Sequence, residues 1–523
     1  MDNLFLGLDV STQNSKLVII NSSNQSILWV DSINYDKDLP LFGTTDGVAS
    51  SNKAGVSESN PLMWIEAVEQ LFERANKNNL PLNNIKSISV SGQQHGLVAL
   101  DRQGKLARPM SKLWNDFSTQ EECDLLTEKV GGKDQMIKKI SNTQRTGYTA
   151  SKIYNIYRSE KDIYDKTSIF LLVHNYINWY LTGGVAVMEP GDCSGTALWD
   201  PKRHTWSKSI VNSISDDLFK KLPEVRPATQ SIGLISKNVS ERFGFSSDCT
   251  IDAGSGDNMY GAVGTGNVQP GIVTVSLGTS GTAYTFMDKP YIDLEGEIAC
   301  FCDSTGNYLP LLCVSNMANG YNNFLKTNSM NHKQFDTLIE TTKPGNNGNL
   351  TIPWFEGERT PDLPNAAPIY FGFNLEDLNK QILGRSILEG HIQNLYDGFK
   401  KLPVNTTKIH LTGGMVQSES WCQAIADIFN CETVPMEGEG AALGAALHAA
   451  WVWSNENGIN TDIGELSRPF IHFIGSMEYK PRKEYRMTYE KQTELYRSIS
   501  LKIRGFNAEN PFDLRTELRS ISL

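Results

Sequence analysis

Apolar positions near the start of the chain come in short alternating runs separated by polar turns. Leu4 to Ile20 reads as strand, turn and strand, with Asp9, Ser11, Thr12, Gln13 and Asn14 around the turn. The pattern returns at Ile272 to Phe286, where Gly278, Thr279, Ser280 and Gly281 form the turn. Lys86 to Gln93 and Lys408 to Gly414 make a second matched pair, each a buried strand closing on a hydroxyl and a glycine. Two halves with the same strand and turn signals predict one supersecondary plan used twice. Between these landmarks Asn60 to Asn76 places Ile65, Val68, Leu71 and Phe72 on one face of an amphipathic helix. Gly43 to Ser59, rich in Gly, Ser, Thr and Asn, reads as an exposed loop.

Near the midpoint, the short run Cys249 to Ala253 leads into Gly254-Ser-Gly256-Asp257-Asn258-Met-Tyr-Gly261, a strand-to-helix corner. Glycines there let a ligand approach the backbone, and the helix N–H groups are free for an anion. Taken alone, Asp257 could be a simple cap. Gln93, Gln94 and His95 lie on a turn after a strand, and their neutral donors and acceptors suit hydroxyl and carbonyl groups. Leu113 to Asp116 and Asp192 to Asp200 set tryptophans beside polar groups, which fits either a polyol face or capped core aromatics. Arg145 is the one cation in Thr143 to Gly147, at a helix start.

Thr412-Gly413-Gly414 precedes an amphipathic helix from Trp421 to Phe429, a pattern suited to a nucleotide approaching backbone. Gly438 to Trp451 is a small-residue helix able to pack very close to a neighbour. Beyond Asn455 the chain turns polar: Glu478 to Ile499 reads as a charged helix and the last residues as a surface tail.

Composition narrows the function classes. The 523 residues carry a net charge of −11, which argues against nucleic acid or an anionic membrane as the main partner. Ile169 to Leu181 is interrupted by His174, Asn175 and Asn178 and reads as a core helix, not a membrane span. Eight cysteines without a Cys-x-x-Cys pair point to buried free thiols and a reducing, cytoplasmic setting. Met1-Asp2-Asn3-Leu4 shows no signal-peptide pattern.

Together these blocks resemble the FGGY family of carbohydrate kinases from about Leu4 to Trp451. The resemblance implies an α/β fold of two duplicated ribonuclease-H-like, actin-like ATPase domains with a nucleotide and sugar cleft between them. The implied division is 1–262 for sugar and the first phosphate hairpin, 263–475 for nucleotide, and 476–523 for a C-terminal helix and tail. It implies Asp257 as general base, Asp9 as the Mg²⁺ residue, and Thr12, Gly278, Thr279 and Ser280 at the ATP phosphates. Gly413, Gly414 and Ser418 would lie near adenosine, while Gln94, His95, Arg145, Asp257 and Asn258 would hold the sugar. Met415 follows the two glycines where the family more often has a small residue, so the adenine contacts depart from its pattern.

The implied activity is ATP-dependent phosphorylation of a ketose. Gly92 to Gly96, Leu113 to Asp116 and Gly256 to Asn258 resemble the members acting on D-xylulose, and the Asn-Gln-Arg-Glu block of glycerol-acting members is absent. Ribulose, gluconate and other ketoses stay open, as does an actin-fold sugar sensor. Sugar and ATP are then the partners, with no nucleic acid or membrane, and a homodimer is compatible with this reading.

Overall fold

The computed structural model describes residues 3–438, 440–474 and 477–522. Met1, Asp2, Glu439 and the expected boundary between 475 and 476 lie outside them. The chain divides into two compact units, and neither is a single stretch of sequence. The first combines Met1–Gln269, Phe286–Pro310 and Gly438–Ile471, and the second Pro270–Thr285, Leu311–Glu437 and His472–Leu523.

In the first unit, strand Leu4–Val10 lies between Asn14–Asn21, antiparallel to it, and Ile85–Gly92, parallel to it. Ser26–Asn34 closes one side of the sheet, and Thr250–Asp252 and Ser231–Leu234 close the other. Side chains alternate across a strand, so each face of the first strand has its own core. Leu4, Leu6, Leu8 and Val10 pack with Trp64, Val68, Leu71 and Phe72 of helix Pro61–Lys77. That helix starts where Asn60 accepts the Leu62 N–H, with Pro61 in the first turn.

The other face carries Phe5, Gly7 and Asp9. Phe5 shares a core with Tyr260, Val263 and the alanines of helix Gly440–Glu456. That helix lies close because three glycines have no side chain in the way. A Cβ on Gly7 would stand 2.1 Å from Ala442 O, on Gly264 2.3 Å from Gly440 O, and on Gly444 1.8 Å from Tyr260 O. The small-residue pattern read in the sequence therefore has its physical counterpart.

The second unit repeats the plan. Ile272–Leu277 runs antiparallel to Gly281–Thr285 and parallel to Lys408–Thr412. Gly281–Thr285 then pairs with Leu311 to Val314, and Thr433–Glu437 flanks Lys408–Thr412. The duplication read from the two pairs of sequence echoes is present as the same strand arrangement.

Unit boundaries differ from the expected sequential division. A break between 262 and 263 would cut helix Asp257–Gly264, whereas the chain changes unit at Gln269/Pro270. Gly438–Ile471 returns to the first unit because the Gly440–Glu456 helix buries its alanines against Phe5 and the Asp257 helix.

The C-terminal segment is no surface tail. Helix Arg486–Ile503 buries Leu495, Tyr496 and Ile499, and helix Pro511–Ser522 buries Leu514 and Leu518, with Leu350, Ile352 and Trp354. Inside this contact Glu389 accepts from Gln492 Nε2 at 2.6 Å and Tyr489 Oη at 3.1 Å, and pairs with Arg385 at 3.0 Å. Charged residues between the apolar positions hid this face from the sequence pattern. Each large apolar side chain exposed by its loss costs about 1.5–3 kcal/mol, and a chain has only about 5–15 kcal/mol of stability to lose. Truncation after Tyr485 is therefore expected to give aggregated or protease-sensitive protein, read by size-exclusion chromatography and limited proteolysis.

Candidate active site

Parallel pairing brings the ends of three segments of the first unit together. Asp9 is opposite Ser91, and Ser255 and Gly256 pair with Ser91 and Gly92. Asp9 therefore lies on the strand beside Ser91, and Asp257 opens the helix that follows Gly256. In open α/β sheets ligands bind outside the carboxyl ends of the strands, where this corner lies. Gly254 makes the corner feasible: its φ is +76°, and a Cβ would stand 2.7 Å from Val90 O.

The Asp9 carboxylate accepts from Ser91 Oγ at 2.7 Å through Oδ1. Asp257 Oδ1 accepts from the Asn258 N–H at 2.9 Å and from Asn258 Nδ2 at 3.1 Å, bonds that leave Oδ2 unused. Desolvation raises the Asp257 carboxyl to about 8, with the charges of Asp9 and Asp192 adding to it. Asp9 is raised too, again chiefly by desolvation. A carboxyl tuned to the neutral range is suited to taking a proton.

A chain of polar contacts runs away from Asp257. Asn258 Nδ2 also donates to Gln94 Oε1 at 2.9 Å, and Gln94 Nε2 stands 3.5 Å from Asp192 Oδ1. Asp192 Oδ2 is 3.0 Å from His174 Nδ1. Asn175 sets the tautomer: its Oδ1 accepts from the Leu172 N–H, so its Nδ2 faces His174 Nε2 at 2.7 Å. Nε2 must then accept, which leaves the proton on Nδ1, close to Asp192 Oδ2 but without hydrogen-bond geometry to it. Glu189 lies beside this chain, accepting from Ser255 Oγ at 3.0 Å and from the Asp192 N–H at 2.6 Å. Desolvation raises Glu189 to about 7.

His95 sits at φ +66° on the turn after Ile85–Gly92, a conformation uncommon for a non-glycine residue. Its ring is 4.6 Å from the Tyr148 ring and lies over Gly195, where a Cβ would come 2.6 Å from His95 Cε1. Thr12 Oγ1 accepts from Trp114 Nε1 at 2.9 Å and donates to Gln93 Oε1 at 3.2 Å, so the first hairpin turn is tied to the Gln93–His95 turn. Arg145 is used differently. Its Nη2 donates to Gly296 O at 2.5 Å and its Nε to Thr143 Oγ1 at 3.2 Å, which directs it to the Asp293–Gly296 turn and not to Gln94, His95 or Asp257.

The remaining expected residues belong to the second unit. Thr279 is exposed on the turn between Ile272–Leu277 and Gly281–Thr285, and its carbonyl accepts from the Met317 and Ala318 N–H groups at 3.0 and 3.1 Å. Gly413 has φ +93° and would place a Cβ 2.5 Å from Leu277 O, while a Cβ on Gly414 would meet nothing within 4 Å. A backbone stretch open on one side is therefore held against the end of the strand, with Gly278 and Ser280 on the neighbouring turn. Ser418 caps helix Glu419–Phe429 and donates to Asp336 Oδ1 at 2.5 Å, so its hydroxyl is already engaged.

Sequence reasoning did not single out Glu189 or Lys152, took Ser91 only as the hydroxyl closing a strand, and took His174 only as an interruption of an apolar run. That interruption was the available signal: His174, Asn175 and Asn178 are fully buried on helix Val173–Thr182, where a polar group needs a partner.

Residues 4–264 match the N-terminal domain and residues 273–453 the C-terminal domain of the FGGY family of carbohydrate kinases. The chain belongs to that family and is a carbohydrate kinase. It is 34% identical over 505 residues to the xylulose kinase of Haemophilus influenzae, covering 93% of this chain and 98% of that one. Among solved structures, a ligand-bound xylulose kinase and a gluconate kinase, both from Lactobacillus acidophilus, each superpose with TM-score 0.85 at 24% identity. In each case 96% of this chain and 98% of the other is covered. The shared fold is two-domain α/β; equal likeness to kinases of two names shows that it does not choose the sugar.

Proposed function

We propose that this kinase transfers the γ-phosphoryl group of ATP to the 5-hydroxyl of D-xylulose, giving ADP and D-xylulose 5-phosphate. The observation that carries the mechanism is Asp257, a carboxyl raised to about 8 whose bonds from Asn258 both go to Oδ1. A primary alcohol is not ionised near neutrality, so a carboxylate must take its proton as the new oxygen–phosphorus bond forms. Phosphoryl transfer otherwise rests on in-line positioning and on offsetting charge at the phosphates. Gln94, His95 and Asn258 would hold the ketose, whose carbonyl and hydroxyls pair with amide and imidazole groups. Arg145, turned to Gly296, would act on the sugar only by holding that loop. Thr12, Gly278, Thr279, Ser280, Gly413 and Gly414 would serve the nucleotide through short side chains and open backbone, with Ser418 shaping the helix start beside them.

Magnesium suits Asp9. Desolvation raises both Asp9 and Asp257, and the charge of Asp9 adds to the rise at Asp257, a condition that a nearby divalent cation relieves. No group of three or more His, Cys, Asp or Glu ligands occurs among the described residues. Magnesium in kinases fits such a setting, keeping waters and taking one or two carboxylates plus substrate phosphates. When bound it would neutralise charge on the transferring phosphate. Asp9→Asn is expected to raise the concentration of Mg²⁺ and ATP needed for half-maximal rate about ten- to hundredfold, with KM for sugar nearly unchanged, in a coupled ADP assay.

The name of the Haemophilus influenzae relative supports xylulose. A panel of D-xylulose, ribulose, gluconate and glycerol, with ADP release coupled to mass detection of the product, tests the choice; a higher kcat/KM for another sugar would overturn it. On the same panel His95→Ala should lower kcat/KM for xylulose by about 5- to 150-fold, the loss expected for a buried polar partner, while ATP hydrolysis without sugar changes little. A cytoplasmic setting is part of the proposal, supported by eight free cysteines.

A further inference from the structure

One lysine of the first unit is buried where nothing in the mechanism above uses it. Lys152 lies in the first turn of helix Thr149–Ser159 and has no exposed surface. A buried ammonium is costly unless it is hydrogen-bonded, and this one is reached by no ion pair among the described residues. Burial pulls its pKa down to about 7, against the charges of Asp116 and Asp192, which favour the ammonium. Its Nζ instead donates to the carbonyl of His95 at 2.7 Å.

The acceptor explains the donor. His95 is held at φ +66°, a backbone state that costs a non-glycine residue about 1 kcal/mol or more unless its surroundings impose it. The same carbonyl lies 3.4 Å from Thr149 Oγ1, and Tyr148, just ahead of the helix, places its ring 4.6 Å from the imidazole. One helix start therefore supplies two donors for the carbonyl and a ring for the side chain. Gly195, elsewhere in the unit, leaves the space the imidazole fills, since a Cβ there would stand 2.9 Å from His95 Nδ1.

We propose that Lys152 is a positioning residue for sugar recognition: its ammonium clamps the His95 carbonyl and so sets the turn that presents Gln94 and His95 to the ketose. The inference rests on the reading of His95 as a sugar contact. It makes Lys152 a determinant of sugar affinity that touches neither sugar nor nucleotide.

The test is a double-mutant cycle with D-xylulose as the probe. Lys152→Met removes the donor at similar length and should raise KM for xylulose about 10- to 100-fold, the range for a lost charged hydrogen bond. KM for ATP and sugar-independent ATP hydrolysis should change less than about twofold, and Lys152→Gln, which keeps a donor, should recover part of the loss. In the His95→Gly background, where glycine takes the left-handed turn unaided, Lys152→Met should add less than about threefold. If Lys152→Met costs as much beside Gly at 95 as beside His, or if xylulose and ATP suffer equally, the clamp is overturned. If His95→Gly alone leaves xylulose kinetics unchanged, the sugar reading of His95 falls first, and the clamp with it. Should Lys152→Met fail to fold, Thr149→Val carries the cycle: it should raise KM about two- to fourfold with His95 present and not with His95→Gly. Equal effects in both backgrounds would again overturn the proposal.

Discussion

Asp257→Asn is expected to lower kcat by about 10²–10⁴-fold with KM for sugar and ATP changed far less, because general-base catalysis is worth that range. The carboxamide is isosteric, and its oxygen can still accept from the Asn258 N–H that now bonds Oδ1 at 2.9 Å. The parent's kcat/KM should rise with pH through the neutral range toward about 8, where the carboxyl ionises. The variant should lose that limb. Stability should move the opposite way. Asp257 ionises near its ordinary 3.8 when unfolded but only near 8 when folded. Between those values the native state binds more protons, so its stability falls as pH rises through the window. Asn carries no such burden, and the melting-temperature advantage of Asp257→Asn should grow from pH 5 to pH 8 in calorimetric scans. Near-parental turnover by the purified variant would remove Asp257 from the role of base.

Gly444→Val should be the most damaging single change outside the proposed site. Even a methyl there would stand 1.8 Å from the Tyr260 carbonyl, a backbone atom that cannot swing aside. The Gly440–Glu456 helix would have to move off the Asp257 helix, opening the core shared by Phe5, Val263 and the alanines. Overpacking costs about 1–3 kcal/mol where side chains can adjust; here the clash is with backbone, so a loss of more than about 4 kcal/mol, in the exceptional class for point mutations, is expected. Function should fall with stability, since the helix that loses this packing carries Asp257 and Asn258 at its start. Tyr260, one turn further on, meets Ser89 at 2.6 Å and His448 at 3.2 Å, so those buried bonds would also be strained. Circular dichroism melts and kcat at low temperature would measure both effects. A soluble Gly444→Val enzyme with parental melting would show that the two helices are not packed this closely.

The elements around the site were legible where they depended on neighbours in sequence. The two hairpins, the buried strands after them and the glycine corner each follow from period-two alternation or from a turn residue within a few positions. The helix Asn60–Asn76 was placed to within a residue because Asn60 and Pro61 mark its start. Arg145 shows where this ends: its charge was visible, but its choice of the Gly296 carbonyl 151 residues away was not. The last twenty residues read as a surface tail because Leu514 and Leu518 stand alone among charged neighbours, although helix Pro511–Ser522 buries both against the charged helix Arg486–Ile503 and Leu350, Ile352 and Trp354.

What the sequence by itself determined is the repeated strand-and-turn plan, the Gly256-Asp257-Asn258 corner and the family to which they belong, since local sterics and hydrophobic period are written in adjacent residues. Only the tertiary structure decided which polar groups meet. Ser91 reaches Asp9 across 82 positions, Asn258 reaches Gln94 across 164, and Lys152 reaches the His95 carbonyl across 57. It also decided that Gly438–Ile471 returns to the first unit and that the last helices complete the second. The reason is that strand register and helix packing bring together groups whose separation leaves no period in the chain, and a buried polar atom takes its partner from whatever the fold places within bonding distance.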